Sequence, residues 1–273
     1  MNSGLEALLK VFLLSLIEGI TEFLPISSTG HLILFGSIIG AEGDFWKSLE
    51  IFIQGGAILA VVVLYHQELR LIARDLFNTN HSATKIPIDF KAVCIITAPI
   101  LCCGAIFGKF IKERLFFPSS VACALILGGI IILAVEWFMS AKKEEELKDN
   151  QRLSYKESIC VGLIQCLALW PGISRSLTVI LPLILFGFSR KQAAEVSFIV
   201  AIPILILAAS YDLAKSWHIL SRDELLLLGI GGFLSFIFAL AAIKIFISIL
   251  SRYSLKVFGW YRIILGLAAL FLI

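Results

Sequence analysis

Two short polar stretches contain the side chains best suited to chemistry. The first, "EGITEFLPISSTGH" from Glu18 to His31, gathers carboxylates, hydroxyls and an imidazole in one segment. Glu18 and Glu22 follow the i, i+4 spacing that puts two side chains on the same face of a helix. Paired carboxylates offer the oxygen ligands that hard divalent cations prefer, so the pair predicts a site for Mg2+ or Ca2+.

The hydroxyl residues after Pro25 predict an anion site at the start of a helix. Ser27, Ser28 and Thr29 stand together there. Backbone N–H groups at a helix N-terminus bind anions, and the helix dipole adds positive potential. His31 follows and can exchange a proton near neutral pH. The nucleophile is left open between Ser28, His31 and a water molecule.

The second polar stretch, "PGISRS", adds a cation matched to phosphate. Arg175 lies between Ser174 and Ser176, and Thr178 follows shortly after. The guanidinium group is a planar fork of donors that fits phosphate oxygens and stays charged at depth. With the hydroxyls, carboxylates and imidazole of the first stretch, this is a set of groups suited to phosphoryl transfer.

The rest of the chain is strongly apolar. Of its 273 residues, 59% are hydrophobic and 16% charged, whereas soluble domains carry about 25% charged residues. Runs long enough to cross a bilayer predict an all-α polytopic membrane protein, with crossings around 47–65, 91–108, 119–139, 194–210, 225–243 and 259–273. A formal net charge of +3 excludes nucleic acid as an expected partner. The six cysteines lie in apolar segments without metal-ligand spacing, and we expect them to be buried.

The two polar stretches belong to an internal repeat. "LIEGITEFLPISS" (Leu16–Ser28) aligns without gaps with "LIQCLALWPGISR" (Leu163–Arg175). Pro and Ser interrupt each copy, which predicts a re-entrant helical hairpin whose tip is surrounded by protein. We therefore expect an inverted-topology repeat, each half a hairpin plus about three crossings. The halves are 1–140 and 158–273, joined by a polar cytoplasmic connector at 141–157.

The distribution of Lys and Arg predicts the orientation. The loops on the connector side hold most of these residues, among them Arg70, Arg74, Lys142, Lys143 and Arg190. The positive-inside rule places that side in the cytoplasm. The first hairpin then opens outward and the second opens toward the cytoplasm.

Together, "EGITEFLPISSTGH" and "LALWPGISRS" resemble the undecaprenyl-diphosphate phosphatase family, also known as the bacitracin-resistance protein family. The resemblance covers nearly the whole chain. It implies an enzyme of the bacterial inner membrane that hydrolyses undecaprenyl diphosphate to undecaprenyl phosphate and inorganic phosphate. Because the first hairpin is predicted to open outward, we expect the active site toward the outer face. Such an enzyme recycles the lipid carrier for peptidoglycan synthesis, confers bacitracin resistance and depends on a divalent cation.

The resemblance also implies roles for individual residues. Glu18 and Glu22 match the acidic motif, Ser28 the proposed nucleophile, His31 the catalytic histidine and Arg175 the phosphate-binding arginine. The pocket would be lined by Ser27, Ser174 and Ser176.

One position departs from the family pattern. Leu177 stands where members usually have Gly. Leu adopts a positive φ less readily than Gly, so the loop must differ if the backbone needs that conformation. Thr178 is the candidate to replace a hydroxyl that the pattern places one residue later.

Two other functions share some of these features. Type-2 phosphatidic acid phosphatases also combine Ser, His and Arg motifs, but they require a histidine shortly after the arginine, and none follows Arg175 through Leu181. A transporter or flippase for a lipid phosphate would share the inverted-repeat architecture. A carrier needs Arg175 but has no need for Ser28 and His31 together. The oligomeric state is left open.

Overall fold

The computed structural model describes residues 2–75, 85–140, 152–216, 221–250 and 252–272. All regular structure in these ranges is helical: α1 (Asn2–Thr21), α2 (Ser28–Ile39), α3 (Asp44–Leu64), α4 (His66–Arg74), α5 (Phe90–Leu115), α6 (Pro118–Ser140), α7 (Tyr155–Gln165), α8 (Arg175–Leu185), α9 (Arg190–Ser216), α10 (Arg222–Leu250) and α11 (Lys256–Leu272). A short 3-10 helix, Cys166–Leu169, continues α7. The protein is an all-α polytopic membrane protein, as the sequence predicts.

Five helices in the described ranges are long and apolar enough to cross a membrane. They are α3, α5, α6, α10 and the Arg190–Tyr211 part of α9, so five of the six predicted crossings are confirmed. The sixth predicted segment forms α11, which spans only 17 residues.

Two helical hairpins contain the polar stretches. α1 and α2 form the first, with a tip at residues 22–27, and α7, the 3-10 helix and α8 form the second, with a tip at 170–174. Each second arm is preceded by a serine with positive φ, Ser27 at 71° and Ser174 at 82°. The Ser27 hydroxyl accepts from the N–H of Gly30, and the Ser174 hydroxyl accepts from that of Leu177. Two residues aligned in the internal repeat therefore share one unusual backbone conformation and one capping role.

Each hairpin packs against a long helix of the other half. α1 lies against α10, and α7 lies against α5. The helices that follow the hairpins also pair across the halves, α3 with α9 and α6 with α11. This packing of each half against the other matches the repeat alignment. The opposite orientation of the halves in the membrane stays a prediction.

Glycines bring some of these helices into close contact. A Cβ on Gly56 would collide with the backbone of Gly232, where α3 meets α10. A Cβ on Gly129 would lie 2.6 Å from the carbonyl oxygen of Gly259, where α6 meets α11. Small residues of this kind let membrane helices approach closely.

A buried carboxylate joins the ends of three helices away from the hairpin tips. Glu136 in α6 is 2% exposed. It accepts from Arg190 at the start of α9 through two hydrogen bonds of 2.8 and 2.7 Å, and from the N–H of Leu255 at 3.0 Å. These bonds hold the ends of α6 and α9 to the segment that begins α11.

The cysteines and the proposed connector can also be compared with their predicted structure. All six cysteines are free, but none is buried, so the expectation of buried thiols is wrong. Lipid tails are as apolar as a protein core, which allows these side chains to stand on outward helix surfaces. Within the proposed connector, residues 141–151 lie outside the described residues, and Tyr155–Glu157 form the first turn of α7.

Candidate active site

The tips of the two hairpins meet, and their contacts join the polar side chains of both. Arg175 Nη2 in the second hairpin donates to Glu22 Oε1 in the first at 2.9 Å. The Ser176 hydroxyl donates to the carbonyl oxygen of Leu24, also at 2.9 Å. Both contacts are largely shielded from solvent, since the side chains of Arg175 and Glu22 are 11% and 5% exposed. The ion pair therefore lies in surroundings where charge interactions are stronger than in water.

Glu22 connects the arginine with a hydroxyl. Its Oε2 accepts from the hydroxyl of Ser28, the first residue of α2, while its Oε1 holds Arg175. Glu22 reaches both because α1 ends at Thr21 and the chain then turns toward α2. A serine hydroxyl bonded to a carboxylate is the arrangement of a nucleophile beside its general base.

His31 has different partners. Its Nδ1 lies 2.7 Å from the carbonyl oxygen of Ser27, and its Nε2 lies 2.7 Å from the hydroxyl of Tyr261 in α11. A carbonyl can only accept, so Nδ1 carries a proton, and in the neutral ring Nε2 then accepts from Tyr261. The two rings are stacked, with 5.7 Å between their centroids. Both ring nitrogens are thus engaged, and this geometry favours Glu22 over His31 as the base for Ser28.

Arg175 is the first residue of α8, beside the tip of the second hairpin. Besides the bond to Glu22, its Nη1 donates to the carbonyl oxygen of Ser197 in α9 at 2.9 Å. Its Nε is buried and has no hydrogen-bond partner among the described residues. The guanidinium group is therefore held at two nitrogens and keeps a donor for an anion.

The other hydroxyls of the second hairpin bond within the protein. Ser174 Oγ and Ser176 Oγ are 2.9 Å apart, and Ser176 also reaches the first tip. The hydroxyl of Thr178 donates to the carbonyl oxygen of Arg175 at 2.7 Å. In the first hairpin, Thr29 is partly exposed in the first turn of α2. The structure brings these predicted pocket residues to the two tips, and their contact with a substrate stays a prediction.

Leu177 does not need the conformation that glycine favours. It lies in the first turn of α8 and is 3% exposed. Among the non-glycine residues of the described chain, only Ser27 and Ser174 have positive φ. The left-handed backbone precedes α8, so leucine fits at position 177 without strain and adds to the core.

Glu18 is a buried carboxylate beside the first tip. It is 0% exposed, and neither of its oxygens has a hydrogen-bond partner among the described residues. Glu22 follows one helical turn later, and its backbone N–H donates to the carbonyl oxygen of Glu18 at 2.9 Å. Two neighbouring carboxylates require a cation or a proton. Hence the oxygens of Glu18 fit the predicted divalent cation, although the described part of the chain has no cluster of three or more His, Cys, Asp or Glu side chains arranged to hold a metal.

Comparison with known proteins identifies the family. The family model described as bacitracin resistance protein BacA matches residues 11–268. The chain belongs to the BacA family. A protein of Acinetobacter baylyi named undecaprenyl-diphosphatase 3 is 41% identical over 262 residues, 96% of each chain. Proteins named undecaprenyl-diphosphatase from Acinetobacter baumannii strain AYE and Wolinella succinogenes are 41% and 42% identical, over 96% and 95% of this chain and 94% and 95% of their own.

Three residues of the site in this BacA-family chain were not predicted from the sequence. They are Ser197, whose carbonyl oxygen holds Arg175, Tyr261, which holds His31, and Arg262, which bonds to both tips. Ser197 and Tyr261 act at points far along the chain from their partners, and no local pattern marks them. Arg262 does carry a signal, because a charged residue within an apolar membrane segment is costly and marks a functional position.

Proposed function

We propose that this BacA-family protein is an integral membrane phosphatase that hydrolyses undecaprenyl diphosphate to undecaprenyl phosphate and inorganic phosphate. The contact that carries the proposal joins Ser28, Glu22 and Arg175 where the hairpin tips meet. It combines a nucleophile, a base and a phosphate-binding cation in one buried place. The names of the relatives, which refer to the diphosphatase, support the same activity.

The first chemical step transfers the terminal phosphoryl group to Ser28. Its Oγ attacks the terminal phosphorus while its proton moves to Glu22 Oε2. The bond from that phosphorus to the bridging oxygen breaks, and undecaprenyl phosphate leaves with the electron pair. Arg175 binds the phosphoryl oxygens and stabilises the charge that develops on them.

Water completes the reaction. It attacks the phosphoserine, and Glu22 returns its proton to Ser28 Oγ as that oxygen leaves. Inorganic phosphate keeps the water oxygen and one hydrogen, and the other proton passes to solvent. Direct attack by water on the diphosphate is the alternative first step, with Glu22 again the base, and attack by His31 is a third.

His31 acts as a neutral ring in this scheme. With Nδ1–H on the Ser27 carbonyl and Nε2 held by Tyr261, it fixes the residue before Ser28. The orientation of α2, and with it the direction of the Ser28 hydroxyl, depends on that anchor.

A divalent cation, Mg2+ or Ca2+, would be held by Glu18 with help from Glu22. When bound, it would neutralise negative charge on the diphosphate. The supporting observation is that both buried oxygens of Glu18 lack hydrogen-bond partners in the part of the chain that the structure describes.

We also propose that the protein lies in the bacterial inner membrane, with its site toward the outer face and the isoprenoid tail of the substrate among the crossings. The excess of Lys and Arg in the loops on the connector side supports this orientation, because the positive-inside rule assigns that side to the cytoplasm. In that position it would recycle the lipid carrier for peptidoglycan synthesis and confer resistance to bacitracin. Bilayer lipids surround it, and no nucleic acid is an expected partner.

A carrier of lipid phosphates is less consistent with the site. A carrier would use Arg175, but it would have no use for a serine hydroxyl directed at a carboxylate. The Ser28 to Glu22 contact therefore favours the enzyme.

The test is phosphate release from undecaprenyl diphosphate by the purified protein in detergent. We expect release by the native chain, and a loss of at least about 1,000-fold in Ser28→Ala and Arg175→Ala. Ser37→Ala is the matched control, because Ser37 lies in the same helix and is exposed, and its hydroxyl donates to the local carbonyl oxygen of Leu34. Absence of release by well-folded native protein, or full activity of Ser28→Ala, would refute the proposal.

A further inference from the structure

Arg262 is the largest fully buried side chain in the described part of the protein. It lies in α11 and is 0% exposed. Its nitrogens donate to the carbonyl oxygens of four residues, and no carboxylate pairs with it among the described residues. A buried charge is costly unless its hydrogen bonds are satisfied. The satisfied donors show that the fold is built around this side chain.

Two of the four carbonyls belong to the two hairpin tips. Nη1 donates to Pro25 at 3.0 Å in the first tip, and Nη2 donates to Gly172 at 2.6 Å in the second. The other two belong to α6, with Nε donating to Leu125 at 3.3 Å and Nη2 to Ala124 at 3.2 Å. One rigid guanidinium group therefore fixes both tips to each other and to a long helix.

Glycines make the space that this group occupies. A Cβ at Gly128 in α6 would collide with the guanidinium group of Arg262. A Cβ at Gly172, whose φ is +101°, would lie 2.7 Å from the carbonyl oxygen of Val121. The second tip can thus press against α6 where Arg262 reaches it.

The charges of the two arginines are balanced differently. Glu22 offsets the charge of Arg175 through their ion pair. Arg262 is held by neutral carbonyls, so its positive charge acts on its surroundings in a medium that screens it weakly. That charge lies beside both tips, where an anionic substrate is expected.

We propose that Arg262 is a positioning residue that holds the two tips in the relation needed by Ser28 and Arg175, and that its charge helps attract the diphosphate. The inference rests on the proposed phosphatase function. It assigns to α11 a part in a site whose chemistry lies on the two hairpins.

The experiment compares Arg262→Lys and Arg262→Gln with the native chain. Lysine keeps the charge but lacks the planar fork, so we expect kcat to fall about 100-fold and KM to stay within about threefold. Glutamine loses the charge as well, so we expect KM to rise about tenfold in addition. Arg252→Lys, at an exposed position before α11, is the control. Each variant is measured on the folded fraction recovered by size-exclusion chromatography.

Gly128→Ala provides a second route if the arginine variants fail to fold. It leaves Arg262 in place but crowds its guanidinium group, and we expect a lower kcat with KM unchanged. Hydrogen–deuterium exchange gives a readout independent of turnover: the peptides covering both tips, residues 22–31 and 170–178, should exchange faster in Arg262→Gln and Gly128→Ala.

The outcomes separate the two proposals. Native kcat in folded Arg262→Lys, or unchanged exchange at the tips in the variants, overturns the positioning role. An unchanged KM in Arg262→Gln overturns the role of the charge. If the native chain releases no phosphate, the phosphatase proposal fails, and tip exchange alone then decides the positioning role.

Discussion

Replacing Glu22 by Gln tests which side chain takes the proton from Ser28. The substitution keeps the size of the side chain but removes its charge and its basicity. Glutamine can accept from Arg175 with its single oxygen, and its amide N–H then faces the Ser28 hydroxyl, which can accept. The contact with Arg175, now 2.9 Å, loses the charge of its acceptor, and the hydrogen bond with Ser28 is reversed.

The size of the effect follows from these contacts. A positioned general base contributes about 100- to 10,000-fold to the rate, and about 1.4 kcal/mol corresponds to each factor of ten. We expect kcat of Glu22→Gln to fall within that range. Loss of the negative charge weakens the hydrogen bond to Arg175 and should lower the free energy of unfolding by about 1–3 kcal/mol. His31→Gln should cost about tenfold in kcat, because it removes an anchor of the Ser27 carbonyl and leaves the base in place.

The assay is single-turnover phosphate release from undecaprenyl diphosphate in detergent, with thermal unfolding measured on the same samples. Glu42→Gln is the control, since Glu42 is exposed between α2 and α3. If Glu22→Gln kept kcat within about tenfold of the native value while His31→Gln lost more than about 1,000-fold, the assignment of the base would be wrong and His31 would take its place.

Four further predictions concern contacts at the site and one network elsewhere in the fold. Tyr261→Phe keeps the stacked ring but leaves Nε2 of His31 without its donor. Thermal unfolding should show a free energy of unfolding lower by about 1–3 kcal/mol, and kcat should fall about tenfold. Native values of both would contradict the anchoring role of Tyr261. Leu177→Gly removes a buried side chain from α8 and should lower the free energy of unfolding by about 2–5 kcal/mol. Phosphate release per folded molecule should be retained. A gain in that activity would mean that glycine is needed at this position. Glu136→Ala breaks three hydrogen bonds and should lower the free energy of unfolding by about 1–3 kcal/mol. Chemical denaturation measures this change. An unchanged denaturation midpoint would show that the three bonds are dispensable. EDTA should reduce phosphate release by the native chain at least about tenfold, and added Mg2+ or Ca2+ should restore it. In Glu18→Gln, the added cation should fail to restore phosphate release. Full activity of the native chain in EDTA would show that the reaction does not need a divalent cation.

The hairpin residues could be predicted from the sequence because polar side chains are rare in this chain and therefore conspicuous. Glu22, Ser28 and Arg175 stand in short stretches surrounded by apolar residues, and a buried ionisable group in a membrane segment marks a functional position. The internal repeat placed the two stretches at equivalent points of two hairpins. Their direct contact could then be expected, although its geometry could not.

The partners supplied by α11 could not be predicted in the same way. Tyr261 contacts His31 across 230 residues of sequence, and Arg262 contacts Pro25 across 237. Periodicity identifies α11 as an apolar helix but does not say which hairpin it touches. Which hairpin α11 contacts depends on how the helices of the two halves pack against each other, and this packing is a property of the tertiary structure alone.

Leu177 shows how a family pattern can mislead about a backbone. The glycine that the family pattern places at that position suggests a left-handed turn. The left-handed residue is instead Ser174, three positions earlier, and its hydroxyl caps the helix that contains Leu177. Ser27 does the same in the first hairpin. Strain of about 1–3 kcal/mol at such residues persists only where the surrounding structure fixes them, and here the contacts between the tips do so.

The ion pair between Glu22 and Arg175 has a consequence for the proposed reaction. Without substrate, each group neutralises the other in a site that excludes most water, which avoids the cost of an isolated buried charge. A diphosphate that enters between the tips competes with Glu22 Oε1 for Arg175, while Oε2 still holds the Ser28 hydroxyl. Substrate binding would then change the partner of Arg175 while the Ser28 hydroxyl stays directed at Glu22. The resting ion pair therefore holds Arg175 at the place where a phosphate group would replace the carboxylate.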